Sequence, residues 1–256
     1  MISNKLKKIK NDISLGVFSK TSDSQVIEIL CNPDADFIIL DMEHSYNNLY
    51  SISEGLKLCI ANGIVPIVRV PNFQSDLIGK ALDAGAYGIQ VSNIKSDKET
   101  KKIIDKFYFH PLGNRGLCRY VPAAKFGSAS LDSYLKEAQD KLLIIQIENV
   151  GALTCLKNIC KLKGIDILFI GPYDLSQSLG YPGQIERPEV IDSIKMIIEK
   201  ANEYKIKTGI YIDDIKNIKK WKNIGVSYFA CSVDLSIFNK AVNQHFSDAK
   251  EKLLGN

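Results

Sequence analysis

The sequence predicts an α/β fold, a single (β/α)8 (TIM) barrel over residues 1–256. Three observations carry this reading. Short β-branched runs alternate with longer stretches whose apolar residues recur at three and four, the pattern of βα units around a parallel sheet. There are eight such runs, and eight strand–helix repeats in 256 residues is the length of one closed barrel. Finally, four polar clusters each fall at or just past the C-terminal end of a run: Asp41-Met42-Glu43-His44, Arg69, Gln146-Ile147-Glu148 and Gly171-Pro172-Tyr173-Asp174. In a barrel those ends converge on one face, so residues more than a hundred positions apart would share one site.

In chain order, strands are predicted at 13–18, 37–41, 65–69, 88–91, 142–147, 167–170, 208–212 and 228–232. Helical period marks 24–30, 49–61, 76–84, 97–107, 152–159, 188–204 and 215–223, and 234–254 reads as a terminal helical region. Pro188 and Glu189 open the helix at 188 with a proline that needs no donor and an acid that suits the positive end of the dipole. One stretch breaks the rhythm. Residues 108–134 carry Pro111, Gly113, Gly116, Pro122 and Gly127 without a clear period, and are expected either to fold over the barrel mouth or to form a surface excursion.

With 45% hydrophobic residues the chain can bury a large core. The net charge of +4 is dispersed through lysine-rich helical stretches, and the cluster Lys5-Leu6-Lys7-Lys8-Ile9-Lys10 reads as the solvated face of an amphipathic helix. No aromatic interleaving points to nucleic acid. The six cysteines (31, 59, 118, 155, 160 and 231) form no C-x-x-C, which fits a reduced, cytoplasmic protein. There is no leader-like apolar segment near the start and no run of about eighteen apolar residues, so no membrane association is expected. Nucleotide-binding glycine motifs and G-x-S-x-G are absent. A Schiff-base aldolase needs a lysine at a strand's catalytic end; no predicted strand ends in one, and Lys207 precedes the seventh strand and belongs to the opposite face.

Glu148 and Asp174 are the carboxylates best placed for a hard divalent cation, since each follows an apolar strand and the strands are consecutive. Each has an alternative as a cap of the turn after it. Zinc is disfavoured because His44, His110 and His245 have no ligand spacing. Arg69 ends a buried strand, where it either clamps an anionic substrate or pairs with Asp41 or Glu43. His44 lies three positions after Asp41, which can orient it for proton transfer. The turn at 171–174 can offer the backbone N–H groups of Tyr173 and Asp174 to a small carboxylate. Asp213 and Asp214 after the seventh strand argue against a phosphorylated substrate.

The chain resembles the HpcH/HpaI aldolase family of class II pyruvate aldolases over nearly its whole length. The landmarks are Phe37-Ile38-Ile39-Leu40-Asp41-Met42-Glu43-His44, Pro66-Ile67-Val68-Arg69, Asp83-Ala84-Gly85, Pro111-Leu112-Gly113-Asn114-Arg115-Gly116, Gln146-Ile147-Glu148 and Phe169-Ile170-Gly171-Pro172-Tyr173-Asp174-Leu175-Ser176. The resemblance implies reversible cleavage of a 4-hydroxy-2-oxo acid to pyruvate and an aldehyde. It implies Glu148 and Asp174 as ligands of Mg²⁺, Mn²⁺ or Co²⁺, Arg69 at the enolate, and His44 with Asp41 as the acid–base pair. Gln146, Gly171, Pro172 and Tyr173 would hold the keto acid. A homo-oligomer is implied, a hexamer or trimer of dimers that exchanges the helix after Asp234, with Arg115 at a subunit contact or ordering a loop. Oxaloacetate decarboxylation, acyl-CoA lysis and a silent binding protein on the same fold stay open. Two departures, Met42 for the usual glycine and Ser92-Asn93 where proline is common, lie near the mouth and bear on the second substrate.

Overall fold

A computed structural model describes residues 2–71 and 76–255. The elements run α1 (Ile2–Asn11), β1 (Ser14–Ser19), α2 (Ser24–Leu30), β2 (Phe37–Asp41), α3 (Leu49–Ala61), β3 (Val65–Val70), α4 (Leu77–Ala84), β4 (Gly88–Val91), α5 (Asp97–Phe107), α6 (Leu131–Gln139), β5 (Leu142–Ile147), α7 (Val150–Cys160), β6 (Ile167–Ile170), α8 (Pro172–Ser178), α9 (Pro188–Glu203), β7 (Lys207–Ile212), α10 (Ile218–Asn223), β8 (Tyr228–Val233) and α11 (Asp234–Leu254). The strands form one closed parallel barrel in sequence order, with β1 pairing both β2 and β8.

Alternation along each strand sorts two cores. Ile38 and Leu40 of β2 face outward into the helix layer, while Phe37 and Ile39 join Ile67, Ile144, Phe169 and Tyr228 inside the barrel. The Phe37 and Tyr228 rings stack at 3.9 Å. Glycines make room for them: a Cβ on Gly16 would lie 2.3 Å from the Phe37 carbonyl oxygen, and one on Gly209 would lie 2.6 Å from the Tyr228 ring.

The base is closed by α1, which buries Ile9 against this inner core. The basic cluster is a helix face, and several of its ammonium groups work as anchors. Lys8 bonds both oxygens of Asp36 at 2.8 Å, and Lys5 reaches the carbonyls of Pro33 and Ala35. Lys207 lies at this end as expected, donating to the carbonyls of Ile9 and Asp12.

The segment 108–134 does not cover the mouth. Helix α5 has already returned the chain to the base, and the residues after it are held there. Phe109 and Ala124 build a small core with Tyr134 and Ala138 of α6, Arg115 pairs with Asp83 at the end of α4, and Lys125 shares a cleft with Tyr87 and Lys7. Its apparent irregularity comes from a 3-10 turn at Pro122–Gly127, where Lys125 and Phe126 take positive φ, and from the start of α6.

Beside this segment Lys141 is buried, donating to the Leu82 carbonyl at 3.1 Å. Burial, helped by the charge of Arg115, lowers its pKa from 10.5 to about 7. Between those values the unfolded chain holds a proton that the folded chain has released, so this group makes stability rise with pH across that window. In Lys141→Met the rise should disappear. Urea unfolding at roughly pH 6 and roughly pH 9 checks it, and an unchanged slope would contradict the assignment.

Candidate active site

The centre of the mouth is an ion pair set by strand register. Asp41 and Arg69 are direct neighbours across β2 and β3. Arg69 Nε donates to Asp41 Oδ1 at 2.8 Å and Nη2 to Oδ2 at 2.6 Å, a bidentate clamp with both side chains buried. Burial pushes the Asp41 carboxyl up, but the hydrogen bonds and charge of Arg69 outweigh it and hold the carboxyl below its usual range. The guanidinium lies 4.7 Å from the centroid of Phe18. Its Nη1 is 3.2 Å from Glu43 Oε2, and the Arg69 side chain lines a cleft at the mouth.

Asp41 therefore orients Arg69 and not the imidazole of His44. Its Oδ1 also accepts from the backbone N–H groups of Glu43 and His44, at 2.9 and 3.4 Å, which shapes the turn. The His44 ring projects into the opening with its side chain 56% exposed, and the carboxylate nearest it is Glu43, 3.8 Å from Nε2. Glu43 Oε1 accepts from Ser92 Oγ at 2.5 Å, while Oε2 makes no hydrogen bond. Burial raises the Glu43 pKa against the pull of Arg69.

Glu148 sits deeper. The turn after β5 is capped by Asn149, which accepts from Ala152 N at 3.0 Å, so Glu148 is not the cap and points inward. Its Oε1 accepts from Asn93 N at 2.5 Å and its Oε2 from Gln146 Nε2, and Gln146 in turn accepts from Gln90 at 2.6 Å. Asn93 reaches it from a left-handed backbone, φ 54°. Burial, then the charge of Glu43, pushes the Glu148 pKa to about 7, and Asp174 pushes the same way.

Asp174 is not a cap either. It lies in the first turn of α8, whose N-cap is Gly171, and the first intrahelical bond runs from Leu175 N to the Gly171 carbonyl at 2.9 Å. The N–H groups of Tyr173 and Asp174 precede that bond. Gly171 must stay small, because a Cβ would lie 3.0 Å from Glu148 Oε2.

Two adjoining clefts result. The larger, about 340 Å³, is lined by His44, Arg69, Gln146, Gly171 and Asp174 on one side and by Phe18, Tyr173, Tyr211 and Asp213 on the other. The smaller, about 270 Å³, holds Glu43, His44, Glu148 and Asp174. Sequence reasoning missed Lys20, one residue beyond β1, which lines the larger cleft and donates to the His44 carbonyl at 3.1 Å. It also missed Gln90, although an amide inside the buried strand Gly88–Val91 was a signal.

Among the described residues no group of three or more His, Cys, Asp or Glu could hold a metal ion. The chemistry nonetheless suits a hard dication with two protein ligands. Glu148 and Asp174 share a cleft, and Glu148 carries a raised pKa from burial and neighbouring carboxylates, the negative surplus that a bound cation relieves.

Residues 14–241 match the sequence profile of the HpcH/HpaI aldolase/citrate lyase family. The 2-keto-3-deoxy-L-rhamnonate aldolase of Klebsiella pneumoniae is 28% identical over 251 residues, covering 96% of this chain and 93% of that one. A HpcH/HpaI family protein from Burkholderia cenocepacia superposes with a TM-score of 0.90 at 25% identity, covering 98% and 100% of the two chains. The citrate synthase SbnG superposes at 0.87 with 28% identity, covering 98% and 99%.

Because a buried charge pair is costly to break from one side, Asp41→Ala should lower the free energy of unfolding by about 3–5 kcal/mol. Asp41→Ala/Arg69→Met should recover part of that loss. Denaturant titration of Asp41→Ala, Arg69→Met and the double variant checks this, and strictly additive losses would show that the pair is not coupled.

Proposed function

The chain belongs to the HpcH/HpaI aldolase/citrate lyase family, a family of carbon–carbon lyases, and we propose that it is a metal-dependent class II aldolase cleaving a 4-hydroxy-2-oxo acid reversibly to pyruvate and an aldehyde. The observation that carries this reading is the geometry of the two adjoining clefts, a locked guanidinium at the end of β3 in the larger and Glu148 and Asp174, from the ends of β5 and β6, in the smaller, with Asp174 lining both.

We assign Glu148 and Asp174 to the cation, which the oxygen donors suit as Mg²⁺, Mn²⁺ or Co²⁺. When bound, a divalent cation supplies Lewis-acid polarisation of the keto group and so acidifies the adjacent methyl. Arg69 faces the negative charge that develops on the keto oxygen. It cannot swing away, because Asp41 holds two of its nitrogens, and that preorganisation spares reorganisation when the charge appears. Gln146, fixed by Gln90 and Glu148, together with Gly171, Pro172, Tyr173 and the free amides of α8, forms the pocket for the keto acid. His44 moves the proton at its exposed ring, with Glu43 as the carboxylate beside it and Asp41 fixing the turn that carries both.

We take the whole chain as one barrel domain, in a homo-oligomer (a hexamer, or trimer of dimers) that exchanges α11. Support comes from that helix, which buries only Asp234 and exposes Leu235, Ile237, Phe238 and Phe246. Among the described residues no helix is long and apolar enough to cross a membrane, and the six cysteines are unpaired, which supports a cytoplasmic setting.

Glu148→Gln and Asp174→Asn keep side-chain size while removing a ligand charge. Loss of a residue that merely supports a ligand costs about 10–100-fold, so each variant should lose more than about 100-fold in metal-dependent release of pyruvate from a 4-hydroxy-2-oxo acid, with metal affinity falling in parallel by calorimetry. Metal-dependent turnover at the wild-type rate in both would refute the assignment.

A further inference from the structure

From Tyr173, already placed at the keto acid, an aromatic wall continues along the larger cleft and is built as a unit. Phe18, which lies under Arg69, meets Tyr211 edge-to-face at 6.0 Å, and Tyr211 meets Tyr173 at 6.2 Å. The Tyr211 hydroxyl is 3.5 Å from Asp213 Oδ1, and burial followed by the charge of Asp213 raises the pKa of Tyr173. Among the described residues the cation paired with Asp213 is Lys240 of α11, 3.9 Å away with its side chain 64% exposed, a contact of little strength. On the facing wall Lys20 is turned elsewhere, bonded to the His44 carbonyl and 3.9 Å from Asp41 Oδ2. This part of the cleft thus offers aromatic faces, two phenols and one carboxylate, while the two cations that line the same cleft, Arg69 and Lys20, are engaged with Asp41 and with the His44 carbonyl.

We propose that Asp213, flanked by Tyr173 and Tyr211, is the residue that selects the second substrate, favouring an uncharged aldehyde with hydroxyl groups over one that carries its own carboxylate. This rests on the aldolase reading of the same site. The carboxylate accepts hydrogen bonds from the aldehyde's hydroxyls, the phenols donate or accept beside it, and the rings cover the carbon chain. A site built to bond a hydroxyl discriminates against the analogue that lacks it, because its own polar group is then left without a partner. An aldehyde with an ionised tail meets like charge instead, a repulsive element that adds to selectivity.

The test is the initial rate of condensation of pyruvate with glyceraldehyde, propanal and succinic semialdehyde, by the wild-type chain and by Asp213→Asn and Asp213→Glu. In the wild type, kcat/KM for glyceraldehyde should exceed that for each of the others by about tenfold or more. Asp213→Asn should raise succinic semialdehyde relative to glyceraldehyde by about tenfold, while Asp213→Glu keeps the wild-type order. A wild-type preference for succinic semialdehyde, or a ratio that Asp213→Asn changes by less than about threefold, overturns the inference and leaves the aldolase reading intact. Failure of all three aldehydes to condense overturns the aldolase reading itself, and this inference with it.

Discussion

A charged side chain at the end of a buried strand must be matched, and that requirement organises the mouth of this barrel. β3 carries Arg69 into a nearly dry position, and the register of β2 sets Asp41 directly beside it. The pair consumes two guanidinium nitrogens, and the third lies 3.2 Å from Glu43 Oε2. Because both partners are fixed by backbone pairing, the cation is presented in one orientation before any substrate arrives. Beside the pair stands the complementary imbalance. Glu43 and Glu148 are each pushed toward protonation by burial, since the nearby N–H donors and the guanidinium do not fully compensate them. An arrangement with one neutralised carboxylate and several uncompensated ones is suited to a cation and an anionic substrate entering together.

The barrel itself is legible in the sequence because its signals are local. Strands β2, β4, β5 and β6 fall at the bounds read from the sequence, each an apolar run between turn residues. β1 is shifted by one residue, since Ile13 is partly exposed while the small polar Ser14 and Ser19 are buried. That shift matters chemically: with the strand ending at Ser19, Lys20 arrives at the mouth. The segment 108–134 lies at the end opposite the mouth, and composition does not reveal this, because glycines and prolines suggest a loop and say nothing of direction. Direction comes from α5, which descends before the segment begins.

Within the site, the residue types are readable in the sequence and their partners are not. Sequence proximity suggests that Asp41 serves His44, three positions on. In the barrel the nearer group is Arg69, 28 positions away in sequence and adjacent in register. The chain of bonds that holds Glu148, from Gln90 through Gln146 and from Asn93, joins two neighbouring βα units more than fifty positions apart in sequence and has no sequence signature. The departures at Ser92 and Asn93 have structural roles, one bonding Glu43 and the other bonding Glu148. Met42 lies buried in the outer core, and its packing there gives no sign of a role in the cleft.

The central claim is that this mouth loosens a methyl proton of a bound keto acid, with Arg69 answering the charge that results. Solvent deuterium exchange into the methyl group of pyruvate, monitored by NMR without any aldehyde, measures that step alone. Exchange is expected in the presence of Mg²⁺, Mn²⁺ or Co²⁺, with its loss on chelation and a fall of about 100-fold or more in Arg69→Met. No exchange by the wild type with any of the three metals, or exchange by Arg69→Met at the wild-type rate, would contradict it.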